Sequence, residues 1–535
     1  MNRHRSSRRT RTLLAALAAA GSSAGALAGA LLAGTGPTAG ASSAPRSHTL
    51  ELSFLQDPGQ PPDPAVYYAG QGLLLQDNVY EGLVQYAANN PAHAIVPDLA
   101  TSWSVSDNHQ TYTFHLRHGV LFHDGTRFTS AAIWPSFQRD LAVGGGPAYM
   151  AAVVKSVSTP SPFTAVVHLT APNSIFLDYL ASPYGPRIYS PTGLAKHAGK
   201  NHDQTYLATH DLGTGPYVLT KAQPGIDYQL KAFPGYWGKK PYYTTVNLPV
   251  IDNLDTEEIQ LQDGHLAAIL HDLTAQAVSS YRKSGTFQVY SLPTLESEYA
   301  YVNQTSWLSS AADRRALLEA IDVKKIQQEA FSGRGTIATQ IYPRNLLPAG
   351  VAVQKDQYDP AVLRRIVAKL PASERTFTIG YDSGSSDGQL IASLLTIQLD
   401  QTGLTVRSIG YPTGTIYGWA PPGNDKGAPD LLVDYVWPDA YDAYQWAHIN
   451  FTSTGGVNYL HCAVPGVNGQ LAKALATNDV SLYGKVGEEA VQSGCYLNLV
   501  NQNDVFVAQR WLKGLPQGHV VAAPYSVRLA ALYPG

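Results

Sequence analysis

A motif able to support covalent chemistry is the sequence GSSDG at Gly384 to Gly388, which fits the G-x-S-x-G pattern. In hydrolases this pattern places a nucleophilic serine on a tight turn between a strand and a helix. A downstream histidine is available in His448, His461 or His519, with acidic residues before it, so the chain order of a triad can be met. Loops rich in Ser and Gly are also ordinary in domains without catalysis. A serine hydrolase that uses Ser386 is therefore the enzymatic alternative.

Three histidines close together in the sequence suggest metal binding, because imidazole is a common metal ligand. They are His115, His118 and His123. However, His115 falls in a predicted strand and His123 in a predicted turn, where a structural role accounts for them. We predict neither a metal nor a cofactor.

The composition indicates a large globular protein with more than one domain. The chain has 535 residues, of which 44% are hydrophobic and 14% charged, and this balance favours a packed body over disorder. The 32 Tyr and 8 Trp hint at a pocket that works by stacking. A net charge of -3 without a long basic block argues against nucleic acid as a partner.

The N-terminus has the pattern of an export signal. The basic stretch MNRHRSSRRTRT precedes an uncharged run from Leu13 to Gly34, and small residues follow at Ala39 to Ala44. This pattern predicts a signal peptide cleaved near residue 41 or 44. An uncleaved membrane anchor is the alternative, because the run approaches the roughly 20 residues that span a bilayer. We expect the protein to be exported to the extracellular or periplasmic space.

The chain has two cysteines, Cys462 and Cys495. Export favours disulfide formation, and both residues lie in the same C-terminal region, so we predict that they pair. Two unpaired buried thiols are the alternative. Neither cysteine has a second Cys nearby or a His at zinc-finger spacing, so we do not expect a structural metal site.

The N-terminal part of the chain shows strand patterns mixed with helices. Strands are predicted at Thr101 to Val105 and Thr111 to Leu116, joined by a turn, and at Val153 to Ser158 and Ala165 to Leu169. The order lacks strict alternation of strand and helix, which is typical of an α+β lobe.

The C-terminal part shows parallel-sheet character. One long helix is predicted from Asp313 to Phe331, with Asp313 as its cap. A strand at Arg375 to Tyr381, a helix at Gln389 to Gln401 and a strand at Leu404 to Ile409 form a β-α-β unit. The sequence therefore predicts a second, unlike lobe.

Several segments resemble one protein family. The stretch NVYEGLV at Asn78 to Val84 and the stretch VPDLATSWSVSDNHQTYTFHLRHGVLFHDGTRFT at Val96 to Thr129 are similar to the N-terminal signature of the family 5 extracellular solute-binding proteins of ABC importers. That family includes oligopeptide-, dipeptide- and nickel-binding proteins. Later landmarks agree in order: GTGPYVL at Gly213 to Leu219, PGYWGKKPY at Pro234 to Tyr242, and DRRALLEAIDVKKI at Asp313 to Ile326.

The resemblance implies an α/β (mixed α+β) two-lobed clamshell of the type II periplasmic-binding-protein kind, with an extra domain inserted in the first lobe. The expected segments are a signal peptide (1–44), the first lobe (45–77, 206–301 and 506–535), the inserted domain (78–205) and the second lobe (302–505). The lobes would close on the ligand by a hinge. The implied function is capture of a small, peptide-like solute and its delivery to the permease subunits of an ABC transporter, without catalysis. We expect a monomer.

The resemblance also points to one segment as the binding site. Aligned without gaps on the peptide-binding relatives, Asp439 falls where an aspartate pairs with the amino terminus of a peptide. A buried ammonium needs such a carboxylate partner. Asp434 or Asp442 is the alternative partner. The family's Gly-Trp before this aspartate is replaced here by Tyr435-Val436, which leaves the specificity for peptides open.

Four aromatic residues near Asp439 are candidates to line the cleft by stacking or apolar contact: Tyr435, Trp437, Tyr441 and Trp419. No arginine occurs between Ala428 and Phe451 to receive a ligand carboxylate.

A further departure from many secreted relatives is Thr35, which stands where they have a lipid-bearing cysteine. A hydroxyl does not replace the thiolate nucleophile, so we expect no lipid anchor.

Overall fold

The computed structural model describes residues 47–90, 94–271, 273–355, 357–462 and 464–535. The predicted signal peptide and Thr35 lie outside the described residues. Within the described ranges, every helix is too short or too polar to cross a bilayer.

The strands of the described residues, in chain order, are β1 (Thr49–Glu51), β2 (Val84–Tyr86), β3 (Ile95–Pro97), β4 (Ala100–Val105), β5 (Thr111–Leu116), β6 (Val154–Ser161), β7 (Thr164–Leu169), β8 (Tyr217–Gln223), β9 (Asp227–Ala232), β10 (Thr245–Pro249), β11 (Ala268–Ile269), β12 (Gln288–Val302), β13 (Gly335–Ile337), β14 (Thr376–Asp382), β15 (Thr405–Tyr411), β16 (Leu431–Val436), β17 (Tyr496–Ala508), β18 (Leu512–Lys513) and β19 (Tyr533–Pro534).

The α-helices of the same ranges are α1 (Leu73–Val79), α2 (Ile133–Val143), α3 (Ala148–Ala152), α4 (Phe176–Ala181), α5 (Pro191–His197), α6 (Gln204–Leu207), α7 (Leu254–Gln262), α8 (Ala275–Ser284), α9 (Ala311–Leu318), α10 (Val323–Ala330), α11 (Pro360–Val367), α12 (Ser386–Asp400), α13 (Thr413–Trp419), α14 (Ala443–Phe451), α15 (Val467–Thr477), α16 (Ser481–Ser493) and α17 (Leu515–Gly518).

Three sheets organise the described part of the chain. One has the strand order β1-β10-β9-β8, with β1 parallel to β10, and a second has the antiparallel order β4-β5-β7-β6. The third is a mixed sheet with the order β11-β17-β12-β16-β14-β15, in which β13 also pairs with β17. Two further strand pairs, β2-β3 and β18-β19, complete the strand pairing.

The long strands β12 and β17 run from one hydrophobic core to another. Near one end, Leu292 and Phe506 pack in the core that also holds Leu50 of β1. Further along β12, successive side chains alternate between the two faces of the mixed sheet, because the side-chain period of a strand is two. Tyr299 and Tyr301 pack on one face, and Ala300 and Val302 pack on the other.

The C-terminal segment returns to the first sheet. Trp511, Leu512 and Val527 pack in the same core as Leu50. The first and last parts of the described chain therefore share one core.

The predicted β-α-β unit is confirmed. Strand β14 pairs in parallel with β15 along its whole length, and α12 connects them. Ile391 and Leu395 of α12 are buried in one core with Phe377 and Ile379 of β14. The predicted hairpins of the N-terminal part are confirmed as well, since β4 pairs with β5 and β6 with β7.

The prediction of one continuous helix from Asp313 to Phe331 is wrong. The segment forms two helices, α9 and α10, and Ser310 rather than Asp313 caps the first by accepting from the backbone N–H of Ala312 and of Asp313. The break has a local cause. The Asp322 side chain accepts a hydrogen bond from the backbone N–H of Lys325 at 3.0 Å, which starts a new helix.

Candidate ligand-binding site

A cavity of about 250 Å³ opens where the segment after β16 meets residues from the N-terminal part of the chain. Its walls are mostly aromatic or aliphatic, with one carboxylate. The lining residues are Tyr68, Tyr184, Tyr417, Tyr435, Val436, Trp437, Asp439, Ile449, Gly456, Val457 and Tyr459. An apolar pocket with few convergent polar groups is the usual form of a small-molecule site.

The sequence after β16 explains how this wall forms. Strand β16 ends at Val436, and Pro438 cannot donate to a strand ladder, so the chain leaves the sheet there. Helix α14 then begins at Ala443, and the side chain of Asp442 caps it by accepting from the backbone N–H of Tyr444 at 2.6 Å. The short connection between strand and helix presents Trp437 and Asp439 to the cavity.

Asp439 is buried, with 7% of its surface exposed, and two tyrosines from the N-terminal part of the chain bind it. The hydroxyls of Tyr68 and Tyr149 both donate to Oδ2, the second at 2.7 Å. Among the described residues, no hydrogen bond occupies Oδ1. Burial raises the pKa of Asp439 above its ordinary value, and the two hydroxyls offset part of that rise.

The aromatic walls are themselves held in place by ring contacts. The rings of Tyr435 and Trp437 stack with centroids 5.8 Å apart and planes 23° apart. The indole N–H of Trp437 donates to the hydroxyl of Tyr184 at 3.0 Å, and Tyr184 packs edge-on against Tyr68. These contacts join the segment after β16 to residues far away in the sequence.

A second aromatic pair stands on another part of the wall. Tyr417 and Tyr459 stack with ring centroids 6.2 Å apart. Asp434 lies beside this pair. Its pKa is raised to about 8 by burial and by the nearby charge of Asp382, so at neutral pH it is largely uncharged. Asp439 is the one carboxylic acid among the described residues that line the cavity.

The structure brings together only some of the residues predicted for the site. Asp439, Tyr435 and Trp437 line the cavity, whereas Tyr441 and Trp419 lie in the hydrophobic core. Tyr441 is 1% exposed and Trp419 4% exposed, and the ring of Trp419 packs on Tyr411.

Five tyrosines of the site were not predicted from the sequence: Tyr68, Tyr149, Tyr184, Tyr417 and Tyr459. The unusual number of tyrosines was the available signal, but it does not say which of them meet.

The predicted disulfide is present. Cys462 is bonded to Cys495, with Cα atoms 6.1 Å apart, and both residues are buried. The bridge ties the segment just after Tyr459 to the start of β17.

The serine hydrolase alternative is not supported. Ser386 is the first residue of α12, and the neighbouring Ser385 caps this helix by accepting from the backbone N–H of Gly388 at 2.9 Å. Two of the histidines proposed for a triad are engaged elsewhere. His519 is bonded to Asp504 at 2.9 Å, and His448 stacks on Tyr444. The motif is explained by the start of a helix.

The three histidines that lie close together in the sequence, His115, His118 and His123, do not form one cluster in the structure. His123 is bonded to the side chain of Asp211 and to the backbone carbonyl of Gly215, while His118 stacks on Phe163. Across the described residues, no group of three or more His, Cys, Asp or Glu is arranged to hold a metal ion.

Known proteins resemble this chain along most of its length. The probable D,D-dipeptide-binding periplasmic protein DdpA of Escherichia coli K12 is 26% identical over 486 residues, which cover 89% of this chain and 92% of the relative. The nickel-binding periplasmic protein of the same organism is 23% identical over 449 residues, which cover 78% of this chain and 82% of the relative.

Solved structures share the fold. NikA from Brucella suis, solved with Fe(III)-EDTA, has a TM-score of 0.79 at 20% identity and covers 91% of this chain and 100% of its own. DppA from Helicobacter pylori, solved with the peptide STSA, has a TM-score of 0.75 at 20% identity and covers 91% of this chain and 98% of its own. The predicted type II periplasmic-binding-protein fold is thereby confirmed.

The family model described as bacterial extracellular solute-binding proteins, family 5 middle, matches residues 94–458, which is more than half of the chain. The resemblance found in the sequence is confirmed, and the chain belongs to the family 5 bacterial extracellular solute-binding proteins.

Proposed function

We propose that this protein captures a small, peptide-like solute in the cavity around Asp439 and delivers it to the permease subunits of an ABC importer. It does so as an exported monomer, without chemical change of the solute. The relatives named for D,D-dipeptides and nickel, and the DppA structure with a peptide, support transport of a small solute.

The observation that carries this proposal is the origin of the cavity walls. Tyr68 and Tyr184 come from the N-terminal part of the chain, whereas Tyr435 lies in strand β16 of the mixed sheet and Trp437 to Tyr459 follow that strand. A ligand between these walls would bind both sets of residues at once. The volume of about 250 Å³ lies just below the range of drug-sized pockets, which favours a small solute.

Strands β12 and β17 are suited to act as the hinge between the walls. They pair over most of their length, but the register of the pairing shifts between Pro293 and Ser297 and again between Glu298 and Tyr299. Such irregularities bend a strand pair locally. Rotation at this point would open and close the cavity while the sheets on either side stay intact.

Asp439 is our leading candidate for a ligand contact, with Tyr435 and Trp437 beside it. Desolvation disfavours a buried carboxylate, and a positively charged ligand group would offset that cost by ion pairing. The amino terminus of a peptide is such a group.

A thermal-shift screen with mixed peptides, peptide amides, amines and sugars tests this function. Ligand at about 100 times its Kd should add roughly 2.7 kcal/mol to the free energy of unfolding. The Asp439→Asn variant should lose the shift, while Asp252→Asn, which changes an exposed carboxylate away from the cavity, should keep it. No shift with any solute, or conversion of a bound solute into product, would refute the proposed function.

A further inference from the structure

We propose that the cavity selects small organic cations that carry no carboxylate, such as amines and peptide amides, over free dipeptides or amino acids. This inference rests on the proposed function and names the class of solute. The inference rests on a carboxylate, Asp439, that has hydrogen-bond donors on one oxygen only and lies in an aromatic wall without a positively charged residue.

The charge of the wall is the first argument. Among the described residues that line the cavity, Asp439 has the one carboxyl group, and none is Lys, Arg or His. A ligand carboxylate would leave water without gaining a cationic partner, which is strongly unfavourable. The site therefore has a partner for one end of a zwitterion and none for the other.

An arginine lies close by in the fold but is engaged in other contacts. The guanidinium of Arg344, beside Tyr441, donates to the backbone carbonyls of Asn501 and Gln502, each at 2.6 Å. Arg344 is not part of the cavity wall. It serves to fix the backbone of β17 where that strand passes β12.

The geometry of Asp439 is the second argument. Both tyrosine hydroxyls donate to Oδ2, so this oxygen is satisfied before any ligand arrives. Oδ1 has no hydrogen-bond donor among the described residues and remains an acceptor for one N–H group of a ligand. The carboxylate is thus held in a fixed orientation with one oxygen left for a cation.

The aromatic rings are the third argument. The faces of neutral aromatic rings attract cations through their quadrupoles, and cages of such rings bind ammonium groups. Here the six rings of the wall come as the stacked pairs Tyr435–Trp437 and Tyr417–Tyr459 and the edge-on pair Tyr68–Tyr184. Burial raises the pKa of the phenols of Tyr68, Tyr184 and Tyr435, so they stay neutral at physiological pH.

Matched pairs of ligands test the selectivity by isothermal titration calorimetry on the full exported chain. A leucine dipeptide is compared with its C-terminal amide, and phenylalanine with phenethylamine, and choline tests an ammonium without N–H groups. We expect the carboxylate-free member of each pair to bind at least tenfold more tightly. If choline binds, the aromatic rings suffice to hold an ammonium group. If choline does not bind while the amines bind tightly, a hydrogen bond from a ligand N–H group to Oδ1 of Asp439 is required.

Inserted charge provides a second test. A Cβ at Gly456, on the cavity wall, meets no atom within 4 Å, so Gly456→Lys has room for its side chain. This variant should weaken amine binding at least tenfold. It should also reduce the difference in Kd between each carboxylate-free ligand and its free acid. Gly469→Lys is the matched control, because a Cβ there is equally unobstructed but lies in α15, away from the cavity.

Ring removal provides a third test. Tyr417 is 56% exposed, so Tyr417→Leu should leave folding intact and weaken amine binding several-fold. The control Tyr358→Leu, at a tyrosine that is 46% exposed and outside the cavity wall, should leave binding unchanged.

Tighter or equal binding of the free acids overturns the inference and leaves the proposed function standing. Binding of neither member of any pair also overturns it. The mixed-solute thermal-shift screen then decides separately whether the proposed function is lost as well.

Discussion

Removal of the Cys462–Cys495 disulfide should destabilise the protein by an amount that follows from the length of the loop it closes. The two residues are 33 positions apart. The loss of conformational entropy that such a cross-link imposes on the unfolded chain corresponds to about 4 kcal/mol. The double variant Cys462→Ala/Cys495→Ala should therefore unfold at lower denaturant, with a free energy of unfolding smaller by about 4 kcal/mol.

Two measurements check this prediction. Urea titration gives the free energy of unfolding, and calorimetry should show a Tm lower by roughly 4 °C. The entropy of unfolding, about 2.1 cal/mol/K per residue, amounts to about 1 kcal/mol/K for a chain of ~500 residues, and the Tm shift is the change in free energy divided by this entropy. The wild-type protein in reducing buffer is the control and should behave as the double variant does. Since the bridge acts mainly on the unfolded state, the Kd for a bound solute should change less than twofold. A loss below about 1 kcal/mol would contradict the entropic account of the bridge. A tenfold weaker Kd would show instead that the bridge helps to shape the wall near Tyr459.

Three further predictions concern single residues. The pKa of Asp434 is raised to about 8 by burial and by Asp382, so the folded state binds more protons than the unfolded state between about pH 4 and pH 8. The free energy of unfolding should therefore fall as the pH rises through that window, and the Asp434→Asn variant should show a flatter urea-stability profile; an unchanged slope would refute the assignment. Arg139 donates to both oxygens of buried Asp63, at 2.7 and 2.5 Å. Because Arg139→Met leaves this carboxylate buried without its partner, the variant should lower the free energy of unfolding, measured by urea titration, by roughly 3–5 kcal/mol. A loss under about 1 kcal/mol would show that the pair is dispensable. Ser386→Ala should change stability by less than about 0.5 kcal/mol and leave solute binding intact, and labelling of the wild-type serine by a fluorophosphonate would revive a catalytic role.

The fold could be predicted where the signal is local. The β-α-β unit of β14, α12 and β15 was visible because a strand, a Ser- and Gly-rich loop, a helix and a strand follow one another in sequence. The division of the segment after Asp313 into two helices was not visible from apolar periodicity alone. It depends on Asp322, whose side chain caps a helix only when the backbone before it has turned away.

The site could be predicted only along one segment. Tyr435, Trp437 and Asp439 are neighbours in the sequence, and resemblance to peptide-binding relatives pointed to them together. The tyrosines that complete the site come from elsewhere. Tyr68 and Tyr149 lie 371 and 290 positions from Asp439 along the chain, and no pattern within one segment reports such contacts.

The choice of tyrosine at these distant positions has a physical reason that links the fold to the site. Phenylalanine at positions 68 and 149 would keep the apolar wall but leave Oδ2 of Asp439 buried without a donor, and an unsatisfied buried carboxylate is costly. Tyrosine supplies the apolar ring and the donor in one side chain, so it closes the wall and orients the carboxylate at the same time. Because both donors come from the N-terminal part of the chain and Asp439 follows β16, this hydrogen bonding depends on the two sides being together. Separation of these segments would expose Asp439 to water and release its tyrosines, so the contacts that orient the carboxylate also hold the segments together.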